Sequence, residues 1–168
     1  TTGGAPGASV PGSADSAIFD GATCVGGVTC TITVDATING TTISSITAGA
    51  CTASTTGCIL DFSVNNPSIT LSRNDGSAAL SLTGTGTRKY LLGSGTFTFT
   101  GTSGALFDIG TTTNLDATSV TTAGLTYTAT TASERQLSGG GRTLGALTIS
   151  ANSSRGGFRI FGTNTYTS

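Results

Sequence analysis

The 168-residue chain has no histidine, no tryptophan and no methionine, a single lysine (Lys89) and a single glutamate (Glu134), and charged residues make up only 9% of it. Without histidine, Ser-His and Cys-His nucleophile arrangements are excluded. A glycosidase or lyase working through paired carboxylates needs two acids together. Asp35, Asp61, Asp108 and Asp116 are instead dispersed singly along the chain, so neither an enzyme nor a cofactor is expected. Seven basic residues (Arg73, Arg88, Lys89, Arg135, Arg142, Arg155, Arg159) stand against eight acids, for a formal net charge of −1. No basic stripe exists to neutralise a run of phosphates, which argues against a nucleic-acid partner. No apolar stretch approaches the roughly 18–20 residues of a membrane helix, so no membrane insertion is expected. The first residue is threonine and no cleavable signal is visible, as expected for a mature form or a piece of something larger.

The four cysteines, Cys24, Cys30, Cys51 and Cys58, leave gaps of five, twenty and six residues. Zinc sites favour CxxC spacing and often histidine, and redox pairs favour CxxC beside a helix; neither pattern is present. Two structural disulfides are the expectation, and they imply a compartment outside the reducing cytosol. The favoured pairs are local, Cys24–Cys30 and Cys51–Cys58, each closing a Gly-containing loop. The alternative is Cys24–Cys51 with Cys30–Cys58, two pairs separated by nearly equal lengths of chain, as two stacked turns of a solenoid would give.

What the chain does contain is 36 Thr, 20 Ser and 26 Gly, about half of its length. Threonine is β-branched and stiff at χ1, which suits a pleated surface and penalises helix. Residues 1–13 form a flexible or extended leader without periodicity, and residues 14–168 read as one all-β domain that continues past the last residue. Strands are expected near 17–20, 29–35, 42–47, 58–64, 68–72, 78–83, 88–92, 95–100, 105–109, 114–120, 124–130, 143–150, 157–161 and 164–168. In GTFTFTG (95–101), Phe97 and Phe99 share one face and Thr96, Thr98 and Thr100 the other. The Arg88-Lys89 pair reads as exposed. Turn residues separate the strands, among them Asn39-Gly40, Asn65-Asn66-Pro67 and Asn74-Asp75-Gly76.

Short strands at this spacing fit an antiparallel sandwich or jelly roll, or a β-solenoid of stacked coils resembling a parallel β-helix. Small side chains throughout favour the solenoid, as does the way TCTITVDATI (29–38) can be laid beside GCILDFSVNN (57–66). The final GTNTYTS, which reads as a strand entered and not concluded, points the same way.

The stretch PGSADSAIFDG (11–21), followed by CTITVDATINGTTISSIT (30–47), resembles the first coil of β-helical autotransporter passenger domains. It is equally similar to Thr/Gly-rich β-helical proteins of bacteriophage structural gene sets. GGGRTLGALTIS (139–150) and GGFRIFGTNTYTS (156–168) are similar to their downstream coils. The chain departs from the passenger pattern in lacking an upstream Trp and in carrying cysteines, which passengers generally avoid because they cross a membrane unfolded.

The resemblance implies a non-enzymatic structural protein of an extracellular particle, foremost a capsid- or tail-associated phage component at the virion surface. The alternative is a bacterial surface adhesin that binds host or glycan. Self-association or docking to a larger assembly is expected, because solenoid ends need covering. Tyr90, Tyr127, Phe158, Phe161 and Tyr166 are candidates for a contact or carbohydrate-binding face, with core packing and stacking along the coils as the favoured use. Asp15 and Asp20 are expected to satisfy local turns, with a calcium site as the competing use.

Overall fold

Strands that alternate Thr with Ile, Leu or Phe bury one face and hydrate the other, so they need a fold with an inside and an outside. A computed structural model shows how this is met; it describes residues 10–19, 29–49, 57–102, 105–110, 113–116, 124–128, 134–149, 158–162 and 164–166. The chain is all-β. Among the described residues the only helical element is one 3-10 turn, Ala36–Ile38, capped by Asp35.

Among the described residues sixteen short strands follow one another: β1 Ser16–Phe19, β2 Cys30–Thr33, β3 Thr42–Ile43, β4 Ser45–Ala48, β5 Cys58–Asp61, β6 Ile69–Leu71, β7 Leu80–Ser81 and β8 Arg88–Leu91. They continue as β9 Thr96–Phe99, β10 Ala105–Asp108, β11 Gly124–Tyr127, β12 Arg135–Ser138, β13 Thr143–Leu144, β14 Leu147–Ile149, β15 Phe158–Phe161 and β16 Thr165–Tyr166. None of these sixteen strands pairs with its neighbour in sequence. A six-stranded sheet runs β1-β4-β7-β10-β12-β15, a five-stranded sheet β3-β6-β9-β11-β14 and a three-stranded sheet β2-β5-β8, with β13 beside β16. All these ladders are parallel. This is a β-solenoid, in which three successive coils each supply a strand to all three larger sheets. An antiparallel sandwich or jelly roll would need the opposite strand polarity.

The register stacks like on like through the interior. One column runs Ala17, Ile46, Leu80, Phe107, Leu137, Ile160 across the six-stranded sheet. Others run Ile43, Leu71, Phe99, Tyr127 and Ile69, Phe97, Leu125, Leu147 across the five-stranded one. Ile43, Leu71, Leu80, Phe97 and Phe107 are completely buried, and each such side chain contributes about 1.5–3 kcal/mol. Phe62 packs edge-on against Phe97, with centroids 5.5 Å apart. Cys30, Cys58 and Arg88 form an inward column on the three-stranded sheet, and 29–38 does lie beside 57–66, with Cys30 opposite Cys58.

Corners are stitched by asparagine. The Oδ1 atoms of Asn39, Asn66 and Asn74 accept from the backbone N–H groups of Ser68, Ser94 and Thr102 in the next coil, at 2.8, 2.7 and 2.6 Å. At two corners the stack is so close that only glycine fits: a Cβ on Gly95 would lie 2.1 Å from the Pro67 carbonyl oxygen, and one on Gly101 1.9 Å from that of Arg73.

Several sequence expectations need correction. The segments expected as single strands at 42–47 and 143–150 each turn a corner, at Ser44 and at Gly145-Ala146. Arg135–Ser138, whose charged and amide side chains hid its alternation, is strand β12. Within 114–120, Leu115 makes one parallel bridge to Arg88, and 117–120 lies outside the described residues. Arg88 is 1% exposed. Consecutive strand residues point to opposite faces, so an Arg-Lys pair on a sheet cannot have both side chains outward.

Candidate functional site

The acidic residues show what the polar side chains are used for. Asp35, Asp61, Asp75 and Asp108 each accept a hydrogen bond from the backbone N–H two residues on, those of Thr37, Ser63, Ser77 and Gly110, at 2.7–3.0 Å. These are Asx turns at coil corners. Asp15 does the same in the opposite direction, its Oδ2 accepting from Gly12 N–H at 2.8 Å. Asp20, its expected companion, lies outside the described residues. Hydrogen bonding from Thr37 holds the Asp35 carboxyl below its ordinary range. The Arg73 guanidinium, gripping Asp75 through two contacts of 2.7 and 2.8 Å, depresses Asp75 much further. Among the described residues no group of three or more Cys, Asp or Glu is placed to hold a metal ion.

Two arginines are interior. Arg88 Nη1 donates to the carbonyls of Thr113 and Gly86 at 2.7 and 3.1 Å, and its guanidinium sits 6.0 Å from the Tyr90 ring centroid. Arg135 donates to the Tyr127 hydroxyl at 2.8 Å and to the Thr102 carbonyl. Carbonyl and phenol oxygens thus receive Arg88 Nη1 and Arg135 Nε and Nη2, buried donors that would be costly left unmet. Lys89 pairs with Asp116 at 3.8 Å and Glu134 with Arg159 at 3.8 Å.

The five aromatics proposed as a contact face are spread over four sheets. Tyr90 and Tyr127 are core residues, 1% and 3% exposed, and burial pushes the Tyr90 hydroxyl above its ordinary pKa. Phe158 is half-buried against Tyr127, with centroids 6.1 Å apart, and Tyr166 also packs on the core. Only Phe161 is exposed, on the outer side of β15 with the Arg159 guanidinium 4.8 Å from its ring centroid. They do not form one surface. Of the cysteines, Cys30 and Cys58 face inward and neither is a free thiol. Cys24 and Cys51 lie outside the described residues, and the pairing with them.

A cavity of about 270 Å³ opens on the first coil between Val10, Pro11, Phe19, Val34 and Ile38. A smaller one, about 110 Å³, lies over the three-stranded sheet beside Lys89 and Asp116. The feature that sequence reading missed is on the outside of the five-stranded sheet. Thr42, Thr70, Thr98, Thr126 and Thr148 stand side by side in a single row. The signal was available: the first four recur at one constant interval along the chain, each followed by a large apolar residue.

Fold and surface together define a parallel β-solenoid with one hydroxyl-bearing outer face and four aspartates committed to its corners. No family model matches the chain, nor does any curated protein or solved structure.

Proposed function

We propose that this chain is a non-enzymatic structural protein of an extracellular particle, foremost a capsid- or tail-associated component of a phage virion. It would serve as a neutral, hydrated display surface. The observation that supports the reading is the commitment of Asp35, Asp61, Asp75 and Asp108 to backbone turns, beside a sheet whose outward row is uncharged threonine. Disulfides among Cys24, Cys30, Cys51 and Cys58 stiffen the first coils in this reading and place the protein outside the cytosol. Self-association or docking would use the edge strands β1 and β15, where Ile18 and Ile160 are 59% and 43% exposed.

A bacterial surface adhesin binding host or glycan is the second reading, favoured by the rod-like stacking of coils. Electron microscopy of the native assembly separates the two. A symmetric particle carrying the chain supports the first, and a cell-anchored monomeric rod overturns it in favour of the second. Incubation with a panel of polysaccharides is expected to release no new reducing ends; their appearance would overturn both.

A further inference from the structure

The outer face of the five-stranded sheet carries no charged and no aromatic side chain among the described residues. Its central row is Thr42, Thr70, Thr98, Thr126 and Thr148. Two residues along, Ser72, Thr100 and Thr128 extend the ladder, their backbone N–H groups donating to the carbonyls of Ile43, Leu71 and Phe99. On the other flank Thr96 lies beside Ser68, whose Oγ accepts its N–H at 3.2 Å. The other faces are mixed. The six-stranded sheet turns Ile18, Asp108 and Phe161 outward, and the three-stranded sheet Lys89 and Asp61.

Parallel strands fix the geometry of this array. Neighbouring members of a row lie about 4.8 Å apart along the solenoid axis, and adjacent rows, on alternate residues of each strand, about 6.6 Å apart. Threonine's branched Cβ restricts χ1, so a stacked row repeats one arrangement of methyl and hydroxyl with little freedom to lose on binding. No side-chain hydrogen bond ties the five hydroxyls of the central row to another described residue, and each offers one donor and two acceptor positions. A ligand complementary to such a face is itself uncharged, extended and periodic in two dimensions. The lattice of ordinary ice has hydrogen-bonding repeats of this order in both directions. Crystalline polysaccharide is a poorer match, because sugar rings are gripped by aromatic platforms and this face has none.

We propose that the hydroxyl face of the five-stranded sheet binds the surface of crystalline ice, the hydroxyls joining the water lattice and the methyl groups holding the water between them in place. This inference is independent of the particle assignment above. The test is partition of the full chain into a slowly growing ice hemisphere, with Thr98→Lys at the centre of the row, Thr148→Lys at its exposed end and Thr31→Lys on the three-stranded sheet. The wild-type chain and Thr31→Lys should enter the ice. A charge buried against the lattice should lower incorporation about tenfold or more for Thr98→Lys, and Thr148→Lys should lower it by less. Circular dichroism checks that each variant is folded, and Thr148→Lys keeps the test valid if Thr98→Lys is not. Exclusion of the wild-type chain from ice would overturn the proposal. So would equal losses in Thr31→Lys and Thr148→Lys, binding to crystalline cellulose in place of ice, or dimerisation through this face detected by sedimentation.

Discussion

Replacing Gly101 with alanine tests how closely the coils are stacked. A Cβ at this position would lie 1.9 Å from the carbonyl oxygen of Arg73 and 3.0 Å from its carbon. Real Cβ contacts do not fall below 3.0 Å, so the corner must retreat by more than an ångström, and the obstacle is backbone that cannot swing aside. Two hydrogen bonds flank the contact: Thr100 N–H to Leu71 O at 2.9 Å and Thr102 N–H to Asn74 Oδ1 at 2.6 Å. Overpacking costs about 1–3 kcal/mol and a lost hydrogen bond about 1 kcal/mol, so about 3 kcal/mol of destabilisation is expected. For a chain of this size that lowers the melting temperature by roughly 6–12 °C. Gly49→Ala is the control: among the described residues no atom beyond its chain neighbours lies within 4 Å of its Cβ position. A glycine replaced without strain stabilises by about 0.4–1 kcal/mol through the unfolded chain. Urea unfolding followed by circular dichroism measures both. Amide exchange localises the damage, since coils couple chiefly to their neighbours, and Thr100 and Thr102 should lose protection first. Equal stability of the two variants, or unchanged protection of those amides, would refute the close-stacked corner.

Four further outcomes are expected. Tyr127→Phe removes the hydroxyl that accepts from buried Arg135, and should cost about 1–3 kcal/mol in urea unfolding, the penalty for an unmet buried donor. Asn74→Ala deprives Thr102 N–H of its acceptor and should cost about 1 kcal/mol with loss of protection at that amide. Burial raises the Tyr90 hydroxyl above the ordinary 10.0. Its contribution is therefore complete below pH 10 and is lost as pH rises from there through the higher folded value; phenolate absorbance should appear together with unfolding. Cleavage beside Asp35 without reduction should release separate fragments if the bridges are Cys24–Cys30 and Cys51–Cys58, and tethered ones if they join coils; mass spectrometry distinguishes the two.

Much of the architecture was legible because it rests on alternation. The Phe97/Phe99 side of β9 and the offset that lays 29–38 beside 57–66 both follow from side-chain size and β-branching alone. Corners were harder to see. Ser44 and Gly145-Ala146 sit inside alternating runs, and a change of direction between two strands leaves the apolar pattern unbroken. Arg135 and Arg88 were hidden for a different reason. Charge argues for the surface, yet both side chains are inside because carbonyl and phenol oxygens from adjacent turns receive their donors. Those oxygens are set by the fold, and no local pattern announces them. The aromatics divide between the two uses open to them: Tyr90 and Tyr127 occupy inward register positions, the favoured core use, and only the strand pairing reveals which ones do.

The two sides of the five-stranded sheet obey opposite rules, and the difference bears on what the sheet is for. Inward, the column reads Ile43, Leu71, Phe99 and Tyr127, a wide range of volumes, as core packing tolerates when neighbours adjust. Outward, where a solvated sheet accepts almost any polar or charged residue, the row is threonine five times over. Thr42, Thr70, Thr98 and Thr126 are evenly spaced along the chain and Thr148 follows after a shorter interval, so the last coil contracts without the hydroxyl being given up. In the six-stranded sheet the steps from Ile46 to Leu80, from Leu80 to Phe107 and from Phe107 to Leu137 all differ in length. The outward partners there pass from Thr47 and Ser81 to Asp108 and Ser138. A requirement for folding alone would weigh equally on both sheets. The constancy of one outward row, against variable steps and variable chemistry elsewhere, is what a surface that must meet something periodic requires.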